Sequence, residues 1–244
     1  MSEVVLSVSH LSKSYGDKVA LDDVSFSVEK GKIYGFVGEN GAGKTTTIRA
    51  ITGLSSYSGT VSLFGSSTDE GLLLGRLRMG CLVEKPILYP DKDASYNLRM
   101  QQMLYGSDDA SLVCKALTRV GLGDVGRKKV RDFSLGMKQR LGIAMALVNS
   151  PSLLILDEPV NGLDPMGMVE VRELLRSLCL EDGITIVVSS HILAELYQLV
   201  TDYIFISGGR IIETISKAEL DSKSESLEQY YMALLGRKVY GISC

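Results

Sequence analysis

Apolar and polar residues alternate along the first thirty positions, with Val4, Leu6 and Val8 on one face and Val24, Phe26 and Val28 repeating the pattern. A period of two predicts antiparallel strands with one face in water, and Gly16-Asp17 marks a turn between them. After Gly31 the period disappears. Ile33 to Val37 is apolar without alternation, runs into a glycine-rich loop, and precedes a stretch from Thr45 to Ile51 that reads as a helix. Two comparable runs follow: Leu153 to Leu156, which ends in acidic residues, and Ile184 to Val188, which ends in Ser189-Ser190-His191. Three such runs separated by helical patterns predict a parallel sheet covered on both faces.

Between Pro86 and Ser150 the character changes. Helical stretches are expected around Asn97 to Tyr105, Leu112 to Val120 and Leu135 to Val148, with no strand among them, which reads as an inserted helical subdomain. Farther on, Tyr203 to Ile206, Gly208-Gly209 and Arg210 to Ile212 predict a hairpin, and a helical tail is expected around Leu227 to Leu235. The expected class is α/β, with a mainly parallel core sheet, an N-terminal antiparallel β part and the helical insertion. We expect one domain over 1–244: a core from 1–86 and 151–216, a helical subdomain from 87–150, and a C-terminal helical tail from 217–244.

Composition narrows the partners. The 244 residues suffice for one sizeable domain, and 45% hydrophobic with 23% charged residues is ordinary for a globular chain. A net charge of -3 gives no basic field, so nucleic acid is not an expected partner. Cys81, Cys114, Cys179 and Cys244 are scattered without metal-ligand spacing, and Met1 to His10 lack the apolar stretch of a signal peptide, which fits a reducing cytosol. No apolar run approaches the ~20 residues of a spanning helix; membrane association is expected only through a partner.

Two motifs carry chemistry. Gly38-Glu39-Asn40-Gly41-Ala42-Gly43-Lys44-Thr45 satisfies GxxxxGK[ST] and lies between a buried strand and a helix start. Glycines let the backbone wrap closely around phosphates and N–H groups at the helix end bind the anion. Lys44 is expected to reach the β and γ phosphates, the Thr45 hydroxyl to ligate Mg²⁺, and Thr46 to join the loop's nucleotide contacts. At the end of the second buried run stand Asp157 and Glu158, and such strand ends face the ligand crevice of a parallel sheet. Asp157 is the expected Mg²⁺ holder, and Glu158 the residue that orients and activates the water attacking the γ phosphate.

Phe133-Ser134-Leu135-Gly136-Met137-Lys138-Gln139-Arg140 lies shortly before the Asp157 strand and looks like the ABC signature segment. With the motifs from Tyr15 to His191, it makes the chain resemble, over nearly its whole length, the nucleotide-binding domain of an ABC transporter, a P-loop NTPase of ABC type, closest to the bacitracin-export kind. The resemblance implies that Ser134 and Gly136 address the γ phosphate held by a second subunit. Asp164, in Asn161-Gly162-Leu163-Asp164, matches the loop that runs along the dimer interface; His191 matches the switch histidine, and Tyr15 the aromatic that stacks on adenine. Glu84 stands where many cassettes carry a glutamine; a carboxylate is the better Mg²⁺ ligand but repels the γ phosphate. Two departures stand out: Leu135 replaces a usual glycine and loses its access to positive φ, and Met137 replaces a polar residue.

The implied activity is hydrolysis of Mg-ATP by a dimer clamped around two nucleotides. It would drive a separate polytopic permease from the cytoplasmic face of the membrane, exporting a peptide antibiotic or drug. A different class, a soluble ABC-type ATPase of DNA maintenance or translation, is less well matched, because those proteins carry paired cassettes or long coiled-coil insertions. A switch that hardly hydrolyses is disfavoured by the presence of both Glu158 and His191.

Overall fold

The computed structural model describes residues 3–223 and 226–240, the last four of these by backbone alone. The chain opens with β1 (Val4–Tyr15) and β2 (Lys18–Glu29), which pair antiparallel across the turn at Gly16-Asp17. The expected alternation is interrupted near the start. The register slips between Val4 and Leu6, so that Val4 is exposed while Val5 and Leu6 are both buried.

There follow β3 (Ile33–Val37), α1 (Lys44–Ile51), β4 (Ser58–Leu63), α2 (Asp69–Leu77) and β5 (Met79–Leu82). Three helices come next, α3 (Ala94–Leu104), α4 (Ala110–Arg119) and α5 (Leu135–Leu147), with a short 3-10 turn at Val130–Asp132 before the last. Then come β6 (Leu153–Asp157), α6 (Pro165–Leu180), β7 (Thr185–Ser190), α7 (Leu193–Leu199), β8 (Asp202–Ser207), β9 (Arg210–Ser216), α8 (Lys217–Lys223) and α9 (Leu227–Tyr240). β4 joins the N-terminal sheet in the order β2-β1-β4. The larger sheet has the order β5-β6-β7-β3-β8-β9, parallel except for β9.

Every residue of β3, β6 and β7 is buried, for a geometric reason. Successive side chains on a strand point to opposite faces. Leu153 and Ile155 pack with β1, β2 and α1, whereas Leu154 and Leu156 pack with the helices on the other side. Two apolar layers clamp the sheet, so in β6 and β7 polar side chains stand only at the strand ends, Thr185 at one and Asp157, Ser189 and Ser190 at the other. Leu98, Val113, Leu117, Phe133 and Leu141, from the helical stretch, belong to the same core as Leu154 and Val188, so the inserted helices share the sheet's core.

β4, α2 and β5 have no counterpart in the sequence reading. β5 has four residues, too few to show a period, and its Gly80 is pressed against the Ala146 carbonyl of α5, where a side chain would collide. The tail extends past the predicted helix: α8 precedes it and α9 runs to Tyr240. The outermost part of the expected tail, 241–244 with Cys244, lies outside the described residues.

β6, β7 and β3 are neighbours, and Asp157 is level with Ser189 while Val37 is level with Ser190. The three segments that follow these strands therefore emerge at one edge, which is where open parallel sheets bind ligands. Leu154→Ala, at a fully buried position shared by this scaffold, is expected to cost about 2–5 kcal/mol, read as a shift in the urea unfolding midpoint.

Candidate functional site

The loop from β3 to α1 is shaped by backbone that only glycine adopts easily. Gly41 and Gly43 have φ of +80° and +114°, and Gly43 caps α1 without any side-chain bond. The first N–H groups of α1 thus stay available to an anion. Gly38 is tightly enclosed, because a Cβ there would lie 2.9 Å from Ile206 Cγ2.

Lys44 is buried, and its ammonium donates to the Gly38 carbonyl at 2.6 Å and the Glu39 carbonyl at 3.2 Å. Glu158 Oε1 lies 3.8 Å away. Burial pulls the Lys44 pKa down, and the charges of Glu158 and Asp157 push it back up. A cation held by two carbonyls and one carboxylate matches what triphosphate oxygens can replace.

Asp157, 1% exposed, accepts at both oxygens. Thr45 Oγ1 donates to Oδ2 at 2.7 Å and Ser189 Oγ to Oδ1 at 2.5 Å. The Thr45 hydroxyl and the Asp157 carboxylate form a hard-oxygen pair, suited to Mg²⁺, which takes one or two protein ligands and its remainder from phosphates and water. Among the described residues no cluster of three or more His, Cys, Asp or Glu could hold a metal unaided.

Glu158 sits in the left-handed region at φ +51°, at a cost of about 1–2 kcal/mol for a residue with a Cβ. Its N–H is held by the Ser189 carbonyl at 3.2 Å and the Ser189 hydroxyl at 3.0 Å. The turn sends its carboxylate between Lys44 and His191, with His191 Nδ1 2.8 Å from Oε2.

Tyr15, Asn40, Gly41, Gly43, Lys44, Thr45, Thr46, Glu158 and His191 line one open cleft of about 730 Å³. Tyr15 stands half exposed at its rim; a hydrogen bond from Ser55 lowers its phenol pKa. Gly38, Glu39 and Ala42 complete the loop behind these residues. Lys18, Val19 and Ala20 also line the cleft and were not singled out from sequence; Asn161, read as part of the interface loop, and Gly208-Gly209, read as a hairpin turn, line it as well. Nor was the bonding of Ser189, whose only sequence signal is its place at the end of a buried run.

Glu84 lies across a second, adjoining cleft, lined also by Thr45, Leu135, Asp157 and Glu158. Its backbone is left-handed, φ +61°, and its carboxylate is bound by the Arg49 guanidinium. Arg49 is one helical turn after Thr45 on α1, so Glu84 is held beside the candidate metal ligand.

Ser134, Gly136 and Asp164 do not line the cleft that holds Lys44. Ser134 is the exposed N-cap of α5, accepting from the Met137 N–H at 3.2 Å, and Asp164 caps α6 by accepting from the Gly167 N–H at 2.9 Å. Leu135 is the first residue of α5, so its position demands no positive φ, and Met137 packs against the core. Both departures are compatible with this helix start.

A family model described as ABC transporter matches residues 21–161. The chain belongs to the ABC transporter family. It is 42% identical over 228 residues to a lantibiotic transport ATP-binding protein of Streptococcus pyogenes, covering 93% of this chain and 96% of that protein. It is 40% identical over 229 residues to a bacitracin transport ATP-binding protein of Enterococcus faecalis, covering 93% of this chain and 74% of that relative. A solved ATP-binding subunit of an ABC transporter superposes with a TM-score of 0.82 at 30% identity, over 95% of this chain and 99% of that one. This ABC protein is the ATPase subunit of a transporter and binds ATP with Mg²⁺. No comparison favours a soluble ABC ATPase of another class.

Ser189→Ala leaves the Asp157 carboxylate without one donor and the Glu158 N–H without one acceptor. We expect this ABC ATPase variant to lose about 1–3 kcal/mol of stability, measured by urea unfolding, and Ser189→Thr to recover most of it.

Proposed function

We propose that two copies of this ATPase close around two Mg-ATP, each site joining the Lys44 loop of one chain to the Ser134 segment of the other, and thereby drive a polytopic permease. The observation that carries the reading is the separation just described. Within one chain the phosphate loop, Asp157, Glu158 and His191 converge, whereas Ser134 is exposed at a helix start outside the cleft that holds Lys44. A helix N-terminus binds anions, and in this reading it is the second chain that brings it to the γ phosphate.

In that site Tyr15 would stack on adenine, a contact worth ~1–3 kcal/mol. The loop N–H groups and Lys44 would hold the phosphates, and Asp164 would lie along the dimer interface. Thr45 and Asp157, with Glu84 at their side, would hold Mg²⁺, which neutralises charge on the β and γ phosphates. Glu158 would orient the attacking water and accept its proton, and His191, 2.8 Å away, would steady that carboxylate and contact the γ phosphate. The division into a core of 1–86 and 151–216, a helical part of 87–150 and a tail of 217–244 belongs to the same reading.

Among the described residues no helix is long and apolar enough to cross a membrane. We place the protein at the cytoplasmic face, held by the permease. Ile87 is 91% exposed and Tyr89 54%, three and five residues after Glu84. Such an apolar surface beside the site suits a permease helix. The relatives named for lantibiotic and bacitracin transport support export of a peptide antibiotic or similar drug.

Glu158→Gln is expected to run as a dimer on a sizing column with saturating Mg-ATP and as a monomer without nucleotide; a monomer under both conditions would contradict the clamp. Its ATP turnover is expected to fall at least about a hundredfold, as for loss of a general base, in a phosphate-release assay.

A further inference from the structure

The C-terminal helix reaches the phosphate loop. Tyr231, on α9, is 7% exposed, and its ring stacks on Phe205 at 5.8 Å between centroids and 18° between planes. Phe205 lies on β8 level with Val37, the last residue of β3 before Gly38. Phe205 in turn stacks on Tyr203 at 5.8 Å. A ladder of rings thus runs along β8 and places α9 against the point where the chain leaves the sheet to enclose phosphate.

The Tyr231 hydroxyl is sealed from solvent without a hydrogen bond of ordinary geometry. Buried hydroxyls are seldom left so. Burial and the Glu39 carboxylate push the phenol pKa up and the Glu39 backbone N–H pulls it down, which makes that N–H the backbone donor to look to beside the point where the ring ladder meets the end of β3. That N–H belongs to the same peptide unit as the Gly38 carbonyl, and the chain contains no cis peptide among the described residues. In a trans unit the carbonyl and the N–H point in opposite directions. One peptide plane is therefore addressed from both sides, by the Lys44 ammonium at 2.6 Å and by Tyr231.

We propose that Tyr231 is a positioning residue for the phosphate loop: its hydroxyl takes up the Glu39 N–H and fixes the Gly38–Glu39 peptide when Lys44 leaves the Gly38 carbonyl for phosphate. The C-terminal helix would then set how tightly the loop grips ATP. This rests on the reading of Lys44 as a phosphate ligand. Nothing else is asked of α9, and Tyr230 supplies an internal comparison. It precedes Tyr231 and also packs on Phe205, at 5.9 Å, but its hydroxyl bonds to Glu213 Oε2 at 2.9 Å.

The test uses the full chain with Tyr231→Phe, Tyr230→Phe and Lys44→Ala, titrated with a fluorescent ATP analogue in Mg²⁺ and melted without nucleotide. Tyr231→Phe keeps the ring and is expected to bind the analogue about three- to tenfold more weakly, the worth of one hydrogen bond, with a matching rise in KM for ATP, kcat nearly level, and an unchanged melting temperature. Tyr230→Phe is expected to bind as the parent does. Unaltered affinity in Tyr231→Phe would overturn the proposal, as would an equal loss in Tyr230→Phe or a fall in affinity accompanied by a large drop in melting temperature. Lys44→Ala separates the two readings. Parent-like affinity there would remove the phosphate loop itself, whereas loss there with none in Tyr231→Phe would remove only the role of the tail.

Discussion

Three adjacent parallel strands ending at one edge impose the arrangement on which the rest of the site depends. The register of β6 on β7 sets Asp157 beside Ser189, and that of β7 on β3 sets Ser190 beside Val37, one residue before the phosphate loop. A slip of one residue would turn every side chain to the opposite face. Both faces are close-packed in apolar layers, so a slip would set differently shaped side chains into each layer. The hydrogen-bonded chain from Ser189 through Asp157 to Thr45 spans β7, β6 and α1, and joins the loop's helix to the sheet. Core packing therefore fixes geometry at the sheet edge.

The charges at that edge are balanced rather than merely assembled. Lys44 is buried, which disfavours its ammonium, but two carbonyls and two nearby carboxylates favour it. Glu158 reaches both Lys44 and His191 only because its backbone is left-handed, a conformation sustained by two bonds to Ser189. Strain of this kind persists where its surroundings over-determine it. Ser189 thus supports Asp157 through its side chain and Glu158 through side chain and backbone together, which makes one small residue the hinge of both acidic positions.

What could be read from the chain follows the physics of each element. β3, β6 and β7 were legible because burial on both faces leaves an unbroken apolar run, and the GxxxxGK[ST] pattern is tied to a strand, a loop and a helix in fixed order. β5 was not, since four residues carry no period. Val4 misled because a register slip near the strand's start is invisible to a period of two. Residues that converge from the ends of adjacent runs, such as Lys44, Asp157, Glu158 and His191, could be grouped from sequence. Ser189 looked like any turn former, and Tyr231 lies on a tail helix nearly two hundred positions from the phosphate loop, where only coordinates show its ring stacked on Phe205.

Glu84 poses an electrostatic problem that Arg49 answers. In the proposed site a lone carboxylate near the γ phosphate would repel it by roughly 4 kcal/mol at 4 Å and an effective dielectric near 20. The Arg49 guanidinium binds that carboxylate, and a paired acid presents little net charge to a phosphate. Both partners are substantially exposed, at 40% and 58% of their side chains, and exposed ion pairs hold only weakly. The pair can therefore open without a large penalty. A divalent ion beside Thr45 would compete with Arg49 for the same oxygens.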